Sequence, residues 1–502
     1  MLPGRGLVAW ARRHPRTVLI ALVLLQVALH LRWIGLPPSG FHAWRQTQVL
    51  SIARNYAEES MNLFEPRVDS RGPDTGITGL EFPLPYWLMA LGYQAFGFHH
   101  WVHRVVMLIF AAIAIVGAWR LGRALFGDPV WGLAMAALLI LNPLFGYYSF
   151  VASPDVPMLG FLLLGLAALA QPAMTPARSL VAGTLSLALA ALLKLSSAAA
   201  WPPALVYGWR RLRVLRGGRA GVAIAALGGA AAVAAWYLWA RHLSEVHHNH
   251  DFMLASKLPY PIAIVPGVAR KVLMQWLPEV YSSYPQFVLV LIGLWGLRRE
   301  EYRPLRASLL AAALGLVLYA IPVLPMLEMH DYFMTPVVVP LLILSVLGAK
   351  TLAEAGSTRP VARWALAVLL AACAVVGPYR ALTRFAHAHA DPDLLAMETR
   401  LPALAPDRSA LVVSAFDLSP SIQLYYMHRK GWAIQVPEWA DSMAAMGRQG
   451  ARYFVSNSRE IERRPAVRPY LDSLGTIGDY RVFRIVGLAA GREAGAHSEA
   501  RR

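Results

Sequence analysis

The chain has 502 residues, of which 57% are hydrophobic and 15% charged, and its formal net charge is +18. A soluble domain carries about 25% charged residues, so this composition argues against a soluble enzyme. The arginines stand in short clusters between apolar blocks, which is typical of membrane topology signals rather than of nucleic-acid binding, and the lone Cys373 leaves no intrachain disulfide and no cysteine metal site.

The apolar residues fall in blocks of roughly 17–22 residues, the length of a helix that crosses about 30 Å of hydrocarbon. Backbone polar groups in lipid must be satisfied within the segment, which favours helices. The first block lacks a small-residue cleavage site and is predicted to be an uncleaved span, whereas the block 84–97 is too short to cross and is predicted to lie at the interface. We predict eleven spans, at 17–35, 102–118, 130–150, 156–172, 178–194, 197–209, 220–240, 286–297, 307–325, 333–349 and 362–382.

The basic residues predict the orientation. With a cytoplasmic N-terminus, the inside loops contain the arginine runs at 210–219 and 298–306, while the longer outside loops are poor in Lys and Arg. This asymmetry is what the positive-inside rule requires. The sequence therefore predicts a multi-pass protein of the bacterial inner membrane. Its periplasmic face carries two long loops, 36–101 and 241–285, and the segment that follows residue 383.

The segment 384–490 has a different composition from the transmembrane domain, 1–383. Residues 410–416, 433–436, 453–456 and 480–486 read as strands and 419–428 as a helix, which predicts a small periplasmic α/β domain. The polar tail, 491–502, is predicted to be disordered. The predicted fold is an all-α polytopic membrane domain with interfacial helices, followed by this α/β domain.

The outer loop 36–101 contains most of the candidate functional residues. A helix that starts near His42 would carry Arg45, Gln46 and Arg54. One interpretation is an amphipathic helix on lipid headgroups, with its arginines at lipid phosphates. The functional interpretation is a site in which a carboxylate, Glu81 first and Asp69 second, acts as a general base beside cations that hold a phosphate leaving group.

Three further positions place polar side chains at the outer ends of predicted spans. Asp155 follows Ser-Pro, where it either complements the helix dipole or binds a ligand. Lys194 stands in an apolar run, where an unpaired ammonium is costly, so it either reaches the surface or holds an anion. The triplet His330, Asp331 and Tyr332 either caps a helix or binds phosphate or sugar.

The sequence predicts no cofactor. A histidine tract, at 247–251, suggests a divalent metal as a less favoured alternative, with His248 and His250 as ligands. A single histidine-rich tract is weak evidence for a metal site.

These motifs together resemble a known family. His-Ala-Trp-Arg-Gln (42–46), Ile-Ala-Arg-Asn (52–55), Glu-Phe-Pro-Leu (81–84), Ser-Pro-Asp (153–155), Leu-Leu-Lys-Leu (192–195) and His-Asp-Tyr (330–332) occur in an order similar to that of the bacterial GT-C membrane glycosyltransferases. Within that superfamily they resemble family 39, the relatives of protein O-mannosyltransferases and aminoarabinose transferase. The resemblance covers about residues 17–350.

The resemblance implies that a sugar passes from undecaprenyl phosphate or another polyprenyl phosphate to a glycan, lipid or protein acceptor at the periplasmic face. It also implies acidic residues in the first outer loop, an early Asp and a later Glu. Glu81 matches the Glu, but no carboxylate precedes Glu58 in this loop, so the early Asp has no counterpart. Lys194 and His330 match polar positions around the donor phosphate.

Two other functions remain as alternatives. A lipid or sugar transporter would also be polytopic, but its charged groups would gather near the bilayer midplane rather than at one interface. A non-catalytic subunit that binds polyprenyl phosphate would explain the missing early Asp.

Overall fold

Helices predominate among the described residues up to 386, with a long non-helical connection at 59–83. The computed structural model describes residues 3–249, 258–386 and 391–487, and seven helices in these ranges are long and apolar enough to cross a membrane. Three shorter apolar helices, Pro129–Ile140, Asp155–Ala170 and Tyr284–Gly296, accompany them. The chain is therefore a multi-pass membrane protein, as predicted, and the count of eleven spans stays a prediction.

The helices are named here in chain order. They are α1 (Pro3–Arg13), α2 (Pro15–His30), α3 (Ala43–Glu58), α4 (Leu84–Phe96), α5 (His100–Phe126), α6 (Pro129–Ile140), α7 (Pro143–Tyr148), α8 (Asp155–Ala170), α9 (Pro176–Leu193), α10 (Trp201–Arg213), α11 (Arg219–Val246), α12 (Ile264–Arg270), α13 (Leu277–Glu279), α14 (Tyr284–Gly296), α15 (Arg303–Val323), α16 (Val338–Ala355) and α17 (Pro360–Ala386). Single 3₁₀ segments, among them Leu195–Ala200 and Asp331–Val337, lead into α10 and α16.

Two breaks in this series matter for the site. The block predicted as one span at 130–150 is divided: α6 ends at Ile140, and the Asn142 side chain caps α7 by accepting a hydrogen bond from Phe145 N at 3.1 Å. Asn followed by Pro is a strong helix start. The second break falls at Lys194, which is extended between α9 and the 3₁₀ segment.

Close helix packing builds the centre of the bundle. Nearly every residue of α16 from Val338 to Ala349 is buried. A Cβ added at Gly293 of α14 would lie 2.0 Å from the carbonyl oxygen of Leu344, and one at Gly348 would lie 2.0 Å from that of Leu289. Small residues at both crossing points let the backbones of α14 and α16 touch, as is usual in membrane helix pairs.

The two ends of the bundle differ. Arginines of the basic loops meet at one end, where Arg12 pairs with Asp128 at 2.8 Å and Arg299 contacts Glu354. The other end, which we call the site face, carries the loop between α2 and α5 and the C-terminal domain. The basic loops thus lie at the end opposite the candidate residues, and the orientation of the two ends across the membrane stays a prediction.

The C-terminal domain is a mixed sheet with short helices. It contains α18 (Pro392–Leu404), β1 (Leu411–Ala415), α19 (Ile422–Met427), β2 (Gly431–Ile434), α20 (Met443–Arg448), β3 (Ala451–Ser456), α21 (Arg459–Arg463), β4 (Leu471–Ile477) and β5 (Tyr480–Ile485). The strand order is β2-β1-β3-β5-β4, with β1 parallel to β2 and β3 and with β5 antiparallel to β3 and β4.

This domain confirms the predicted α/β character and adds one strand. The prediction missed β4, an edge strand whose polar residues interrupt the apolar alternation that identifies a strand. The predicted disordered tail, 491–502, lies outside the described residues.

The domain packs directly on α3. Although α3 is rich in polar residues, its positions from Gln46 to Tyr56 are all buried. The hydroxyl of Tyr426 donates to the carbonyl oxygen of Pro38, and Gly431 forms a β-bridge with Ser70 of the loop. Helix α3 is therefore enclosed between the bundle and the C-terminal domain.

Candidate active site

Arg45 and Glu81 meet at the site face. Arg45 lies in the first turn of α3 and contacts the Glu81 carboxylate, which also accepts a hydrogen bond from the Tyr86 hydroxyl. The second Arg45 amino group donates to Gln48 Oε1 at 2.5 Å. The backbone N–H of Phe82 donates to the carbonyl oxygen of Leu192 at 2.9 Å. Leu192 stands two residues before Lys194, so this bond places Glu81 beside the end of α9.

Lys194 and Asp155 form a second ion pair. Lys194 Nζ lies 2.6 Å from Asp155 Oδ1 and 4.4 Å from the ring centre of Tyr332. Asp155 also accepts hydrogen bonds from Ser153 at 2.5 Å and Thr335 at 3.2 Å, and it is fully buried. Asp155 stands in the first turn of α8, where its charge complements the helix dipole. Its role in binding a ligand stays a prediction.

A third carboxylate, Asp331, completes the arrangement. Asp331 Oδ2 accepts a hydrogen bond from Arg384 at 3.0 Å, and Oδ1 accepts one from the Tyr148 hydroxyl at 2.5 Å. His42 Nε2 lies 3.3 Å from the same Oδ1. These residues come from α17, α7 and the start of α3, so the site unites distant parts of the chain.

Aromatic rings enclose these charged groups. The imidazoles of His42 and His330 stack with centres 5.4 Å apart, and Tyr332 stands edge-on to His42 at 4.9 Å. Trp44 stands edge-on to His330 at 5.6 Å. Burial, followed by repulsion from His42, lowers the pKa of His330 to about 4, so this ring is neutral at physiological pH.

We call this group the loop-one site; it comprises His42, Arg45, Glu81, Asp155, Lys194, His330, Asp331, Tyr332 and Arg384. The two ion pairs also interact with each other electrostatically. Arg45 interacts with Asp155, and Lys194 interacts with Glu81. The side chains of His42, Arg45, Glu81, Lys194 and Arg384 each keep 11–15% of their surface exposed. The site is thus sheltered but reachable by a ligand.

Three predicted residues lie elsewhere. Gln46 is buried and donates to the carbonyl oxygens of Ser39 and Phe41 at 3.1 and 3.2 Å, so it shapes the loop that carries His42. Arg54 and Asp69 pair with each other at 2.9 Å, with only 1% of each side chain exposed. Within the described ranges, no hydrogen bond or ion pair links Arg54 or Asp69 to the loop-one site.

Asp69 belongs to a second cluster, which we call the domain junction and which comprises Arg54, Asn55, Asp69 and Lys430. Asp69 Oδ1 accepts from Lys430 Nζ at 2.6 Å and from Asn55 Nδ2 at 3.0 Å. Burial alone would raise the pKa of Asp69, but the charges of Lys430 and Arg54 outweigh it and hold this pKa well below its usual range. Every side-chain oxygen of Asp69 is occupied by a donor from the protein itself.

The metal alternative concerns the histidine tract. His250 and Asp251 lie outside the described residues. Among residues 3–249, 258–386 and 391–487, no three His, Cys, Asp or Glu side chains lie close enough together to hold a metal ion. His247 lies 3.4 Å from the Thr75 hydroxyl.

Sequence analysis missed Arg384, Tyr148, Thr335 and Lys430. Arg384 had a usable signal, because an arginine at the outer end of a span departs from the inside bias of basic residues. Tyr148 and Thr335 lie within apolar stretches and have no distinguishing pattern. Lys430 reaches Asp69 across 361 residues of sequence, which no local pattern reveals.

Part of the chain matches a known protein family. A family model described as dolichyl-phosphate-mannose-protein mannosyltransferase matches residues 81–241. The match includes Glu81, Asp155 and Lys194 and leaves out His42, Arg45 and Asp331. A comparison with curated protein sequences finds no match.

Solved structures align over almost the whole chain. ArnT from Cupriavidus metallidurans in the apo state has a TM-score of 0.61 at 16% identity, over 94% of this chain and 99% of that one. The same protein bound to undecaprenyl phosphate has a TM-score of 0.62 at 15% identity, over the same shares. AglB from Archaeoglobus fulgidus, in complex with an inhibitory peptide and a dolichol-phosphate, has a TM-score of 0.55 at 13% identity, over 92% of this chain and 73% of that one.

The architecture and these alignments define a multi-pass membrane protein with the GT-C glycosyltransferase fold. The family match at 81–241 relates its central part to the protein mannosyltransferases. The predicted resemblance to this superfamily, with relatives among the protein mannosyltransferases and ArnT, is confirmed.

Proposed function

We propose that the chain transfers a sugar from a polyprenyl phosphate, undecaprenyl phosphate in a bacterial inner membrane, to a glycan, lipid or protein acceptor. The reaction takes place at the site face, which the positive-inside pattern assigns to the periplasm. The observation that carries the proposal is a partly exposed carboxylate, Glu81, which pairs with Arg45 and interacts electrostatically with Lys194 at the site face.

The cations suit the leaving group. When the bond from the sugar to the phosphate breaks, negative charge grows on the phosphate, and fixed cations in a sheltered site stabilise it strongly. A guanidinium has five donors in a planar fork. Arg45 uses its amino groups on Glu81, Gln48 and, at 3.4 Å, the Tyr86 hydroxyl. A phosphate that enters the site competes with these protein groups for the same donors.

Glu81 is the proposed catalytic carboxylate. Arg45 and Tyr86 fix its orientation, so that it accepts a hydrogen bond from the acceptor hydroxyl as that oxygen attacks the sugar carbon. A positioned acid–base group contributes about 10²–10⁴-fold to the rate. Arg54 and Asp69, which the sequence also suggested, are proposed to hold the domain junction instead.

An apolar groove supports a lipid donor. It lies between α9, α10 and α11, has a volume of about 910 Å³, and is lined by side chains such as Leu187, Ala191, Leu205 and Val233. Ala191 stands one helical turn before Lys194, so the groove ends close to the cation proposed to hold the phosphate. A polyprenyl chain in this groove would place its phosphate at the loop-one site.

The proposal is tested by transfer with the purified protein in nanodiscs. A panel of radiolabelled undecaprenyl-phosphate sugars is offered with membrane extract as acceptor, and the wild type is compared with Glu81→Gln. We expect labelled product from the wild type and about 10²–10⁴-fold less from Glu81→Gln. The matched control is Glu300→Gln, which removes an exposed carboxylate paired with Arg306 at the basic end.

Each contrary outcome has a definite meaning. Unchanged turnover in Glu81→Gln would remove Glu81 from the mechanism. Donor binding without product would favour a non-catalytic binding subunit. Net movement of a donor across vesicles without covalent transfer would favour a transporter.

A further inference from the structure

His42 and Asp331 form a pair that the proposed function does not yet use. We propose that His42, oriented by Asp331, rather than Glu81, receives the proton of the acceptor hydroxyl, and that Glu81 positions the acceptor. This inference rests on the proposed function and extends it, because the loop lacks the early carboxylate that its resemblance to GT-C enzymes implies. An imidazole held by a carboxylate takes the place of that missing group.

The Asp331 carboxylate lies beside the His42 imidazole. His42 Nε2 lies 3.3 Å from Asp331 Oδ1 and, within the described residues, has no hydrogen-bond partner. A carboxylate beside one ring nitrogen fixes the tautomer and stabilises the imidazolium. With Nε2–H directed at Asp331, the lone pair lies on Nδ1, and 11% of the side-chain surface remains accessible. Contacts of this kind are often long in a ligand-free site and tighten when substrate binds.

Asp331 is itself held firmly. Arg384 and Tyr148 donate to it from α17 and α7 at 3.0 and 2.5 Å. These two donors fix the position of the carboxylate against which His42 is oriented. Asp331 therefore acts as a positioning residue, and His42 is the group proposed to meet the substrate.

The backbone conformation of His42 also supports this role. His42 adopts a left-handed conformation, with φ 53° and ψ 40°, immediately before α3. Residues other than glycine pay about 1 kcal/mol or more for this region and keep it where surrounding contacts enforce it, commonly at functional sites. Here the Gln46 amide and the Tyr147 hydroxyl both donate to the carbonyl oxygen of Phe41, the latter at 2.8 Å. The loop is thus held so that the imidazole faces Asp331.

Tyr332 interacts with both His42 and Glu81. Its ring centre lies 4.9 Å from that of His42, and its phenol interacts electrostatically with Glu81 and Arg45. Glu81 already receives hydrogen bonds from Arg45 and Tyr86, and both donors make it a weaker proton acceptor. Imidazole has an ordinary pKa of about 6.5, close to the working pH, which is where a general base is most effective.

The proposed step balances. The acceptor oxygen forms a bond to the anomeric carbon of the sugar, and its proton passes to His42. The bond between that carbon and the phosphate oxygen breaks, and its electron pair stays on the polyprenyl phosphate, which leaves with one additional negative charge. The imidazolium carries the matching positive charge beside Asp331 and returns its proton to water after the product departs.

The experiment measures kcat/KM from pH 5 to 9 in nanodiscs for the wild type, His42→Gln and Asp331→Asn. The charged or titratable groups that face His42 are Asp331, His330 and Tyr332, with Arg384 and Tyr148 behind Asp331. The pKa of His330, about 4 because of burial, lies below this range. The result expected for the wild type is an activity that rises with pH over this range.

Three results support the proposal. His42→Gln should lower kcat by about 10²–10⁴-fold and abolish the acidic limb of the profile. Asp331→Asn should keep that limb but lower kcat, because the carboxylate that orients the imidazole is gone. Added imidazole should restore part of the activity of His42→Ala. The control is His242→Gln, which removes an exposed imidazole on α11 outside the site.

Undecaprenyl-phosphate binding, measured by the shift in unfolding temperature, shows that each variant is folded. An acidic limb that persists in His42→Gln would overturn the proposal, as would a folded His42→Ala that imidazole does not rescue. These failures differ from failure of the proposed function, in which the wild type itself transfers no sugar.

Discussion

The loop-one site and the domain junction both place carboxylates against cations on the same loop, yet they differ in what they leave open. In the domain junction, Asp69 and Arg54 are 1% exposed, and every Asp69 oxygen has a protein donor. In the loop-one site, Glu81 and Arg45 each keep 13% of the side chain exposed. Buried charge alone therefore does not mark a site: the groups must also remain able to exchange partners with a ligand.

The comparison implies that substitutions at the two clusters have different consequences. Removing a charge from the domain junction leaves other buried charges unpaired and weakens the attachment of the C-terminal domain. Removing a charge from the loop-one site leaves a group that a ligand or solvent can still reach. The first change should lower stability, and the second should lower turnover.

The largest expected effect on stability is that of Asp69→Asn. The variant leaves Arg54 and Lys430 without their common carboxylate, and breaking a buried ion pair by removing one partner costs about 3–5 kcal/mol. We expect a lower unfolding temperature in detergent and faster proteolysis of the C-terminal domain. Turnover per folded molecule should fall far less than in Glu81→Gln.

The control for this prediction is Asp441→Asn. Asp441 pairs with Arg464 at the surface of the same domain, at 2.7 Å, and exposed pairs contribute little to stability. A stable Asp69→Asn protein without transferase activity would contradict the comparison. It would return Asp69 to the catalytic role that the sequence suggested as its second choice.

A second, somewhat smaller effect is expected for Lys194→Met. If Lys194 holds the donor phosphate, its removal should lower kcat/KM by about 10²–10³-fold, the usual cost of losing one group that stabilises a developing charge. Lys350→Met is the control, because Lys350 forms a comparable ion pair with Glu354, at 2.7 Å, at the basic end of the bundle. The measurement is transfer from the donor that the panel identifies.

A double variant separates the two explanations for a loss in Lys194→Met. That variant leaves Asp155 buried without its cation, which by itself would destabilise the site. Adding Asp155→Asn removes the unpaired charge. If activity returns in Lys194→Met/Asp155→Asn, Lys194 only neutralises Asp155; if it stays low while the protein is folded, Lys194 serves the phosphate.

The same contrast shows how far the sequence could lead. Block length and the positive-inside pattern predicted the helical bundle, and the motifs around Arg45, Glu81, Asp155 and Lys194 predicted residues that the fold brings together. The helical bundle is confirmed, and the site roles of these residues stay predictions. Both depend on local composition or on the end of a span at which a residue stands.

Long-range contacts could not be predicted. Asp69 and Arg54 were predicted as site residues, and nothing near them in sequence reveals that they contact Lys430 and α19. Arg384 and Asp331 come together only when α17 packs against the start of α16. A pattern of residues predicts which face a side chain occupies, but packing between distant segments decides whether its partner is protein or ligand.

The smallest expected effect concerns pH and the attachment of the C-terminal domain. His428 bridges Glu398 of α18 and Glu58 of α3 at 3.2 and 2.9 Å. Hydrogen bonds to Glu398 and then Glu58 raise the pKa of His428, against burial and the nearby charge of Arg54. A raised folded-state pKa means that this stabilisation is fully present below about pH 6.5, the unfolded value. It is lost as the pH rises through the folded value.

The unfolding temperature of the wild type should therefore fall relative to that of His428→Gln as the pH rises from 6 to 9. The difference corresponds to less than about 1 kcal/mol, because all three side chains are partly exposed. So small an effect is worth measuring because it reports only on the attachment of the C-terminal domain. Turnover per folded molecule should not change with pH in parallel with the unfolding temperature. If His428→Gln also changed the pH profile of kcat/KM, the C-terminal domain and the loop-one site would respond to the same titration. The two regions would then not be independent.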